Sequence, residues 1–252
     1  MMIKGVLLDL SGVLYIGNQP LPGAIDAVQY LARSGLPIRY ITNTTRSPRS
    51  AILKKLAAMK LKVAQNELFT APVAAHNYIK RNALSPYLLL HADLLPEFSE
   101  FDCKNFDSVL LGDAGRGFTY EKLNEAFRLL FNGAPLFAMG DNRYFKEEDG
   151  FSLDAGPFLH ALEMASGVKA TILGKPAKEF FLEAIQEFDC PPGEVVMVGD
   201  DVEADINGAC EAGLQAILVQ TGKYRSSDDQ CIRYPGVRIA EHITQAVNWI
   251  AR

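Results

Sequence analysis

The sequence has little of what marks several common classes of protein. No stretch approaches the roughly eighteen consecutive apolar residues needed to cross a bilayer. Its apolar start is interrupted by Lys4 and Asp9, unlike the apolar core of a secretory signal, so a cytoplasmic protein is expected. Four cysteines, Cys103, Cys190, Cys210 and Cys231, form neither a CxxC pair nor a zinc-ligand spacing, which predicts reduced and mostly packed thiols. Basic residues are the minority, 25 Lys and Arg against 30 Asp and Glu, so a net charge of −5 offers no field for nucleic acid and no polybasic membrane patch. Neither GxGxxG nor GxxxxGK[ST] follows the first apolar run, which counts against dinucleotide or P-loop binding. The four histidines are scattered singly, and no repeat or low-complexity tract is present. Small molecules and other proteins are left as partners.

What is there is an ordinary globular composition, 48% hydrophobic and 22% charged, in 252 residues. That length suits one full domain plus an insertion. Strand and helix patterns alternate throughout, which predicts an α/β fold with a parallel sheet flanked by helices. A strand near residues 3–9 leads to a helix over 22–33, a strand over 37–41, a helix opened by Ser47-Pro48, a short strand at 68–70 and a helix to about Asn82. A fresh series begins near Ser85-Pro86, with strands over 87–90, 108–111 and 136–138 and helices over 120–131 and 157–165. The polar stretch Gly140 to Gly150 between them reads as a hairpin or loop. Alternation resumes with a strand over 170–173, a helix over 177–188, strands over 195–199 and 216–219 and a closing helix over 241–251. The expected division is therefore a core of residues 1–82 and 173–252 and an inserted α/β unit of 83–172.

Chemistry-bearing residues gather at the carboxyl ends of the core strands, where open α/β sheets hold their ligands. They are Asp9 with Leu10 and Ser11, Thr42 with Asn43, Lys175, and Asp200 with Asp201 and Asp205. Carboxylates collected on one sheet edge repel one another unless a cation sits among them, and hard oxygen donors select Mg²⁺. Thr42, Asn43, Lys175 and the N–H groups of the loop after Asp9 could hold the oxygens of a phosphate. Each piece also has a plainer reading. Thr42-Asn43 can be a turn, Lys175 a solvated residue at a helix start, and Glu203 and Asp205 partners of a helix N-terminus. Their occurrence together and in this order favours the site.

In that order, Asp9-Leu10-Ser11-Gly12-Val13, Thr42-Asn43, Lys175 within Gly-Lys-Pro, and Gly199-Asp200-Asp201 with Asp205 resemble the four motifs of the haloacid dehalogenase superfamily of phosphohydrolases. The insertion resembles the α/β cap of its subfamily IIA. Stretches such as Leu123–Leu130, Gly156-Pro157-Phe158 and Thr221–Arg225 resemble two animal phosphatases of that group. The resemblance implies that Asp9 is a nucleophile that becomes aspartyl-phosphate and that Thr42 and Lys175 bind the phosphoryl group. It implies Mg²⁺ held by Asp9, the Ser11 carbonyl and Asp200, with Asp201 and Asp205 behind them. Substrate choice would fall to the cap, with the Asp154–Pro157 turn and the Arg143-Tyr144 neighbourhood as candidates, and an apolar cap face or open strand edge would allow a homodimer.

One position departs from the superfamily. The residue two after the nucleophile is usually an aspartate acting as general acid and base, and here it is Ser11. A positioned acid contributes about a hundred- to ten-thousand-fold, most where the leaving group is poor. An alkoxide needs that proton, whereas an imidazole, basic only near pH ~6.5, needs it far less. The expected activity is a phosphatase that prefers phosphohistidine, phospholysine or pyrophosphate, whether on a small molecule or a protein side chain. A general phosphatase of small phosphomonoesters and a phosphate-binding module with little activity are the alternatives.

Overall fold

A computed structural model of the chain describes residues 2–101, 105–147 and 150–250. Cys103, the Glu148-Asp149 tip of the anticipated hairpin and Ala251 of the closing helix lie outside the described residues. In chain order the elements begin with β1 (Gly5–Asp9), β2 (Tyr15–Ile16), β3 (Gln19–Pro20), α1 (Ala24–Arg33), β4 (Ile38–Thr42), α2 (Arg49–Ala58), β5 (Leu68–Thr70) and α3 (Ala71–Arg81). They continue with β6 (Pro86–Leu89), β7 (Ser108–Leu111), α4 (Tyr120–Phe131), β8 (Leu136–Ala138), β9 (Tyr144–Glu147), β10 (Gly150–Leu153), α5 (Ala155–Ser166) and β11 (Thr171–Ile172). The last are α6 (Lys178–Ala184), β12 (Val195–Gly199), α7 (Gly208–Glu211), β13 (Gln215–Val219), β14 (Arg238–Ala240) and α8 (Ile243–Ile250). The chain forms two compact units, Met1–Thr42 with Arg49–Phe69 and Lys175–Arg252, and Asn43–Pro48 with Thr70–Gly174.

The first unit is built on a six-stranded sheet in the order β14-β13-β12-β1-β4-β5. β1 lies at its centre, parallel to both neighbours, with Leu8 opposite Val198 and Asp9 opposite Ile41. A central parallel strand is covered on both faces, which is why Val6, Leu7 and Leu8 form an unbroken apolar run with no exposed surface. α1 packs against α8. Each does so with a stripe at helical spacing, Ala24, Ala27, Val28 and Leu31 on one and Ile243, Ala246, Val247 and Ile250 on the other. The register puts the carboxyl ends of β12, β1 and β4 side by side, so that the residues leaving these three strands share one edge.

The second unit has its own parallel sheet, in the order β11-β8-β7-β6, and a separate core. α4 and α5 pack together and contribute Ala126, Leu130, Ala155, Leu159 and Leu162 to it. Thr119 and Asp154 cap these helices, their side-chain oxygens accepting from the N–H groups of Lys122 and Ala155. β9 and β10 form the antiparallel hairpin anticipated between residues 140 and 150, set slightly later in the chain.

Two expectations are corrected. The run over residues 170–173 does not return to the first sheet but pairs with β8, Thr171 opposite Phe137, because its short apolar edge completes the second sheet. Lys175 therefore enters the first unit without being the end of one of that sheet's strands. The helix expected over 177–188 ends at Ala184 and is followed by turns. Of the described cysteines, Cys190 and Cys210 are half-buried and free, while Cys231 is exposed and not packed as expected. Among the described residues no helix is long and apolar enough to cross a membrane.

Candidate active site

β1 delivers Asp9 to the sheet edge nearly buried, and the chain then turns sharply. Leu10 drops into the core, so only its backbone faces the loop, while the Ser11 side chain is exposed. Gly12 has φ +90°, and a Cβ there would overlap the Asp200 carboxylate. Only glycine lets the loop after Asp9 and the end of β12 approach so closely. The Gly12 N–H donates to the Tyr15 carbonyl at 2.8 Å, which closes the loop onto the small β2–β3 hairpin.

β12 supplies Asp200, and the chain continues as a helical turn of π type over Val202–Asn207 before α7. Asp201 caps that turn, its Oδ1 accepting from the N–H groups of Glu203 and Ala204 at 3.1 and 2.9 Å. The wider turn brings Asp205 back toward the sheet, where it is 1% exposed. One oxygen from each of Asp9, Asp200 and Asp205 lies within 4.8 Å of the others. Lys175 Nζ is buried with them, 2.5 Å from Asp9 Oδ1 and 2.6 Å from Asp205 Oδ1. The peptide bond that follows it, to Pro176, is cis.

The electrostatics of this cluster are those of anions short of a counter-charge. Burial alone would lower the Lys175 pKa, but Asp205 and Asp9 outweigh it and hold the ammonium charged well above the ordinary lysine value. Asp200 gains less from its surroundings. Burial, with repulsion from Asp9 and Asp205 added, overcomes the help of Lys223 and pushes its carboxyl up to about 8. Burial also raises Asp205, to about 6, with Lys175 opposing the shift. Asp201 goes the other way, because Lys223, 3.1 Å from its Oδ2, and the Ala204 amide overcome its desolvation. One buried lysine thus faces three buried carboxylates among the described residues, and a hard divalent cation is the group whose charge and oxygen preference fit what remains.

Thr42 sits buried at the end of β4, the strand neighbouring β1. Asn43 belongs to the second unit, where its side chain lies by Gly140 and Gly174. The same short segment contributes Arg46, whose guanidinium binds the buried Asp113 carboxylate at 2.5 and 3.5 Å and lies 4.2 Å from the Phe145 ring centre. The two anticipated specificity stretches meet within this unit, Asp154 N–H donating to the Arg143 carbonyl at 3.3 Å and Gly156 N–H to that of Asn142 at 2.9 Å. Burial, then Asp113, raises the Asp154 pKa, with the Ala155 amide and Arg46 countering. Sequence reasoning gave Thr221, Gly222 and Lys223 no place beside these carboxylates, yet the Lys223 N–H donates to Asp200 Oδ2 at 2.7 Å. They follow β13, so the rule that found the other residues, small polar groups at a strand's carboxyl end, also covers them.

Residues 6–104 match the family described as haloacid dehalogenase-like hydrolase, and residues 172–246 the family described as HAD-hydrolase-like. The chain is 41% identical to haloacid dehalogenase-like hydrolase domain-containing protein 2 of Mus musculus, across 98% of this chain and 96% of that protein. It is 41% identical to the phospholysine phosphohistidine inorganic pyrophosphate phosphatase of Xenopus laevis, across 90% of this chain and 87% of the other. Among solved structures, NagD from E. coli K-12 aligns with a TM-score of 0.89 at 25% identity, covering 97% of this chain and 98% of that one.

Proposed function

This chain belongs to the haloacid dehalogenase-like hydrolases, and we propose that within them it is a Mg²⁺-dependent phosphatase working through an aspartyl-phosphate on Asp9. The observation that carries the reading is the buried trio Asp9, Asp200 and Asp205 with Lys175 bonded to two of them. In the first step an Asp9 carboxylate oxygen forms a bond to phosphorus while the bond from phosphorus to the leaving group breaks. Water then attacks the aspartyl-phosphate, releasing inorganic phosphate and restoring the carboxylate. Lys175 orients Asp9 and neutralises charge on the transferring group, and Thr42 and the amides of Leu10 and Ser11 bind its oxygens. Asp9, Asp200 and the Ser11 carbonyl would hold Mg²⁺, with Asp205 behind them on Lys175. The ion would offset the carboxylates' charge so that a phosphate dianion can approach.

Ser11 sets the substrate class. With no carboxylic acid at that position, leaving groups that need no proton are favoured, namely the imidazole of phosphohistidine, the amine of phospholysine once protonated, and phosphate from pyrophosphate. A relative named for these three substrates, 41% identical over most of the chain, supports the same class. Phosphate release from pyrophosphate, phosphohistidine, an aryl phosphate and a sugar phosphate, with and without Mg²⁺ and with Asp9→Asn as the blank, is the test. The first two should dominate and the blank should be silent. A higher kcat/KM for the sugar phosphate overturns the preference, and turnover by Asp9→Asn overturns the mechanism.

A further inference from the structure

The turn after β13 has no task in the reaction just described, yet Thr221 and Lys223 make three separate attachments to the carboxylate site. The Thr221 hydroxyl donates to the Gly12 carbonyl at 2.5 Å. The Lys223 backbone N–H donates to Asp200 Oδ2 at 2.7 Å. The Lys223 ammonium pairs with Asp201, the cap of the turn that carries Asp205. Between them Gly222, at φ +63°, lies so close that a Cβ would overlap both Asp200 Oδ2 and Gly12 Cα.

These attachments answer a physical need. A buried carboxylate without a donor is costly, and the Lys223 amide satisfies Asp200 Oδ2 and restrains the group's rotation. The second oxygen can then be presented to a cation. The Gly12 carbonyl, held by Thr221, fixes the loop that begins at Asp9. We infer that Thr221-Gly222-Lys223 is a positioning element for metal binding, which orients Asp200 and the Asp9 loop before a cation arrives. The inference rests on the divalent-cation reading of the site given above. It assigns the turn no contact with substrate. Pre-orientation of this kind shows as affinity, because ligands already aligned lose little freedom on binding.

The test is Mn²⁺ binding, followed by electron paramagnetic resonance of the free ion, with the intact chain and no substrate, at a temperature where circular dichroism shows each variant folded. Thr221→Ser keeps the hydroxyl and should bind Mn²⁺ as the unaltered protein does. Thr221→Val should weaken binding by about three- to tenfold, the size of one lost hydrogen bond. Gly222→Ala should weaken it further, and Lys223→Met, which keeps the amide, should do so less than Gly222→Ala. Equal affinities for Thr221→Val and Thr221→Ser overturn the inference, whether or not Gly222→Ala folds. So does a reversed ranking of Gly222→Ala and Lys223→Met. Failure of the unaltered protein to bind Mn²⁺ or Mg²⁺ would instead remove the cation site, and the positioning role with it.

Discussion

Asp200→Asn should make the metal-free protein more stable at pH 8, although it removes a group from the site. The reasoning begins with the Asp200 carboxyl, which burial and the neighbouring Asp9 and Asp205 push from an ordinary 3.8 up to about 8. A raised carboxyl pKa means that the folded state holds a proton the unfolded chain has given up. Stability then falls as pH climbs between the two values, and the loss is complete above the folded one. Each pH unit in that window costs about 1.4 kcal/mol. Because the slope halves as pH reaches the folded value, this group removes about 2 kcal/mol between pH 6 and pH 8, which for a chain of this size lowers Tm by about 4–8 °C.

Differential scanning calorimetry in EDTA, at half-unit steps from pH 5 to pH 8.5, reads this directly. The side-chain amide of the Asp200→Asn variant carries no titrating proton but keeps an oxygen to accept from the Lys223 N–H, so the variant's Tm should fall less across the window by that amount. Addition of Mg²⁺ at a hundred times its Kd should restore about 2.7 kcal/mol to the unaltered protein at pH 8 and nothing to the variant. An unaltered protein that melts at the same temperature as Asp200→Asn at pH 8 in EDTA, or above it, refutes the account of the site as carboxylates short of a cation.

How much of this was legible in the sequence follows from what each residue's neighbours are. Strands over 108–111, 136–138 and 195–199 and the helix over 120–131 match the structure to the residue, because each has a clear period and a turn or cap beside it. That Asp200, Asp9 and Thr42 share one sheet edge follows from the strand-end rule, whereas the adjacency of β12, β1 and β4 that sets them side by side is a matter of strand order that only the structure supplies. The same rule groups Lys175 with them for an incorrect reason, since the strand before it pairs with β8, and pairing partners of a short strand are a tertiary matter. Likewise nothing local ties Arg46 to Asp113, 67 residues away, or Lys223 to Asp201, 22 residues back. The π-type turn that swings Asp205 onto Lys175 is also silent in composition, for Val202–Asn207 has no glycine or proline to mark it.

Lys175→Met should leave Asp9 and Asp205 buried without their cation, abolishing phosphate release and costing about 3–5 kcal/mol in urea melts at pH 7.5. Because Asp205 is already raised to about 6, that cost should shrink at pH 5; a pH-independent cost would contradict the pairing. In the second unit Arg46→Ala should cost less than Lys175→Met does, because Arg46 is partly exposed and the Gly115 N–H still donates to Asp113, while Arg46→Ala with Asp113→Ala should cost less than the sum of the two. Strict additivity in urea melts would deny the pair any coupling. Ser11→Asp tests the assignment of substrate class. It supplies the acid that alkyl esters lack, so phosphate release from a sugar phosphate should rise by about a hundredfold or more, while release from phosphohistidine, whose leaving group needs no such help, should change little. An equal gain on both substrates would mean that Ser11 limits hydrolysis of the aspartyl-phosphate rather than departure of the leaving group. No gain on either would mean that the side chain at this position never reaches the reacting oxygen.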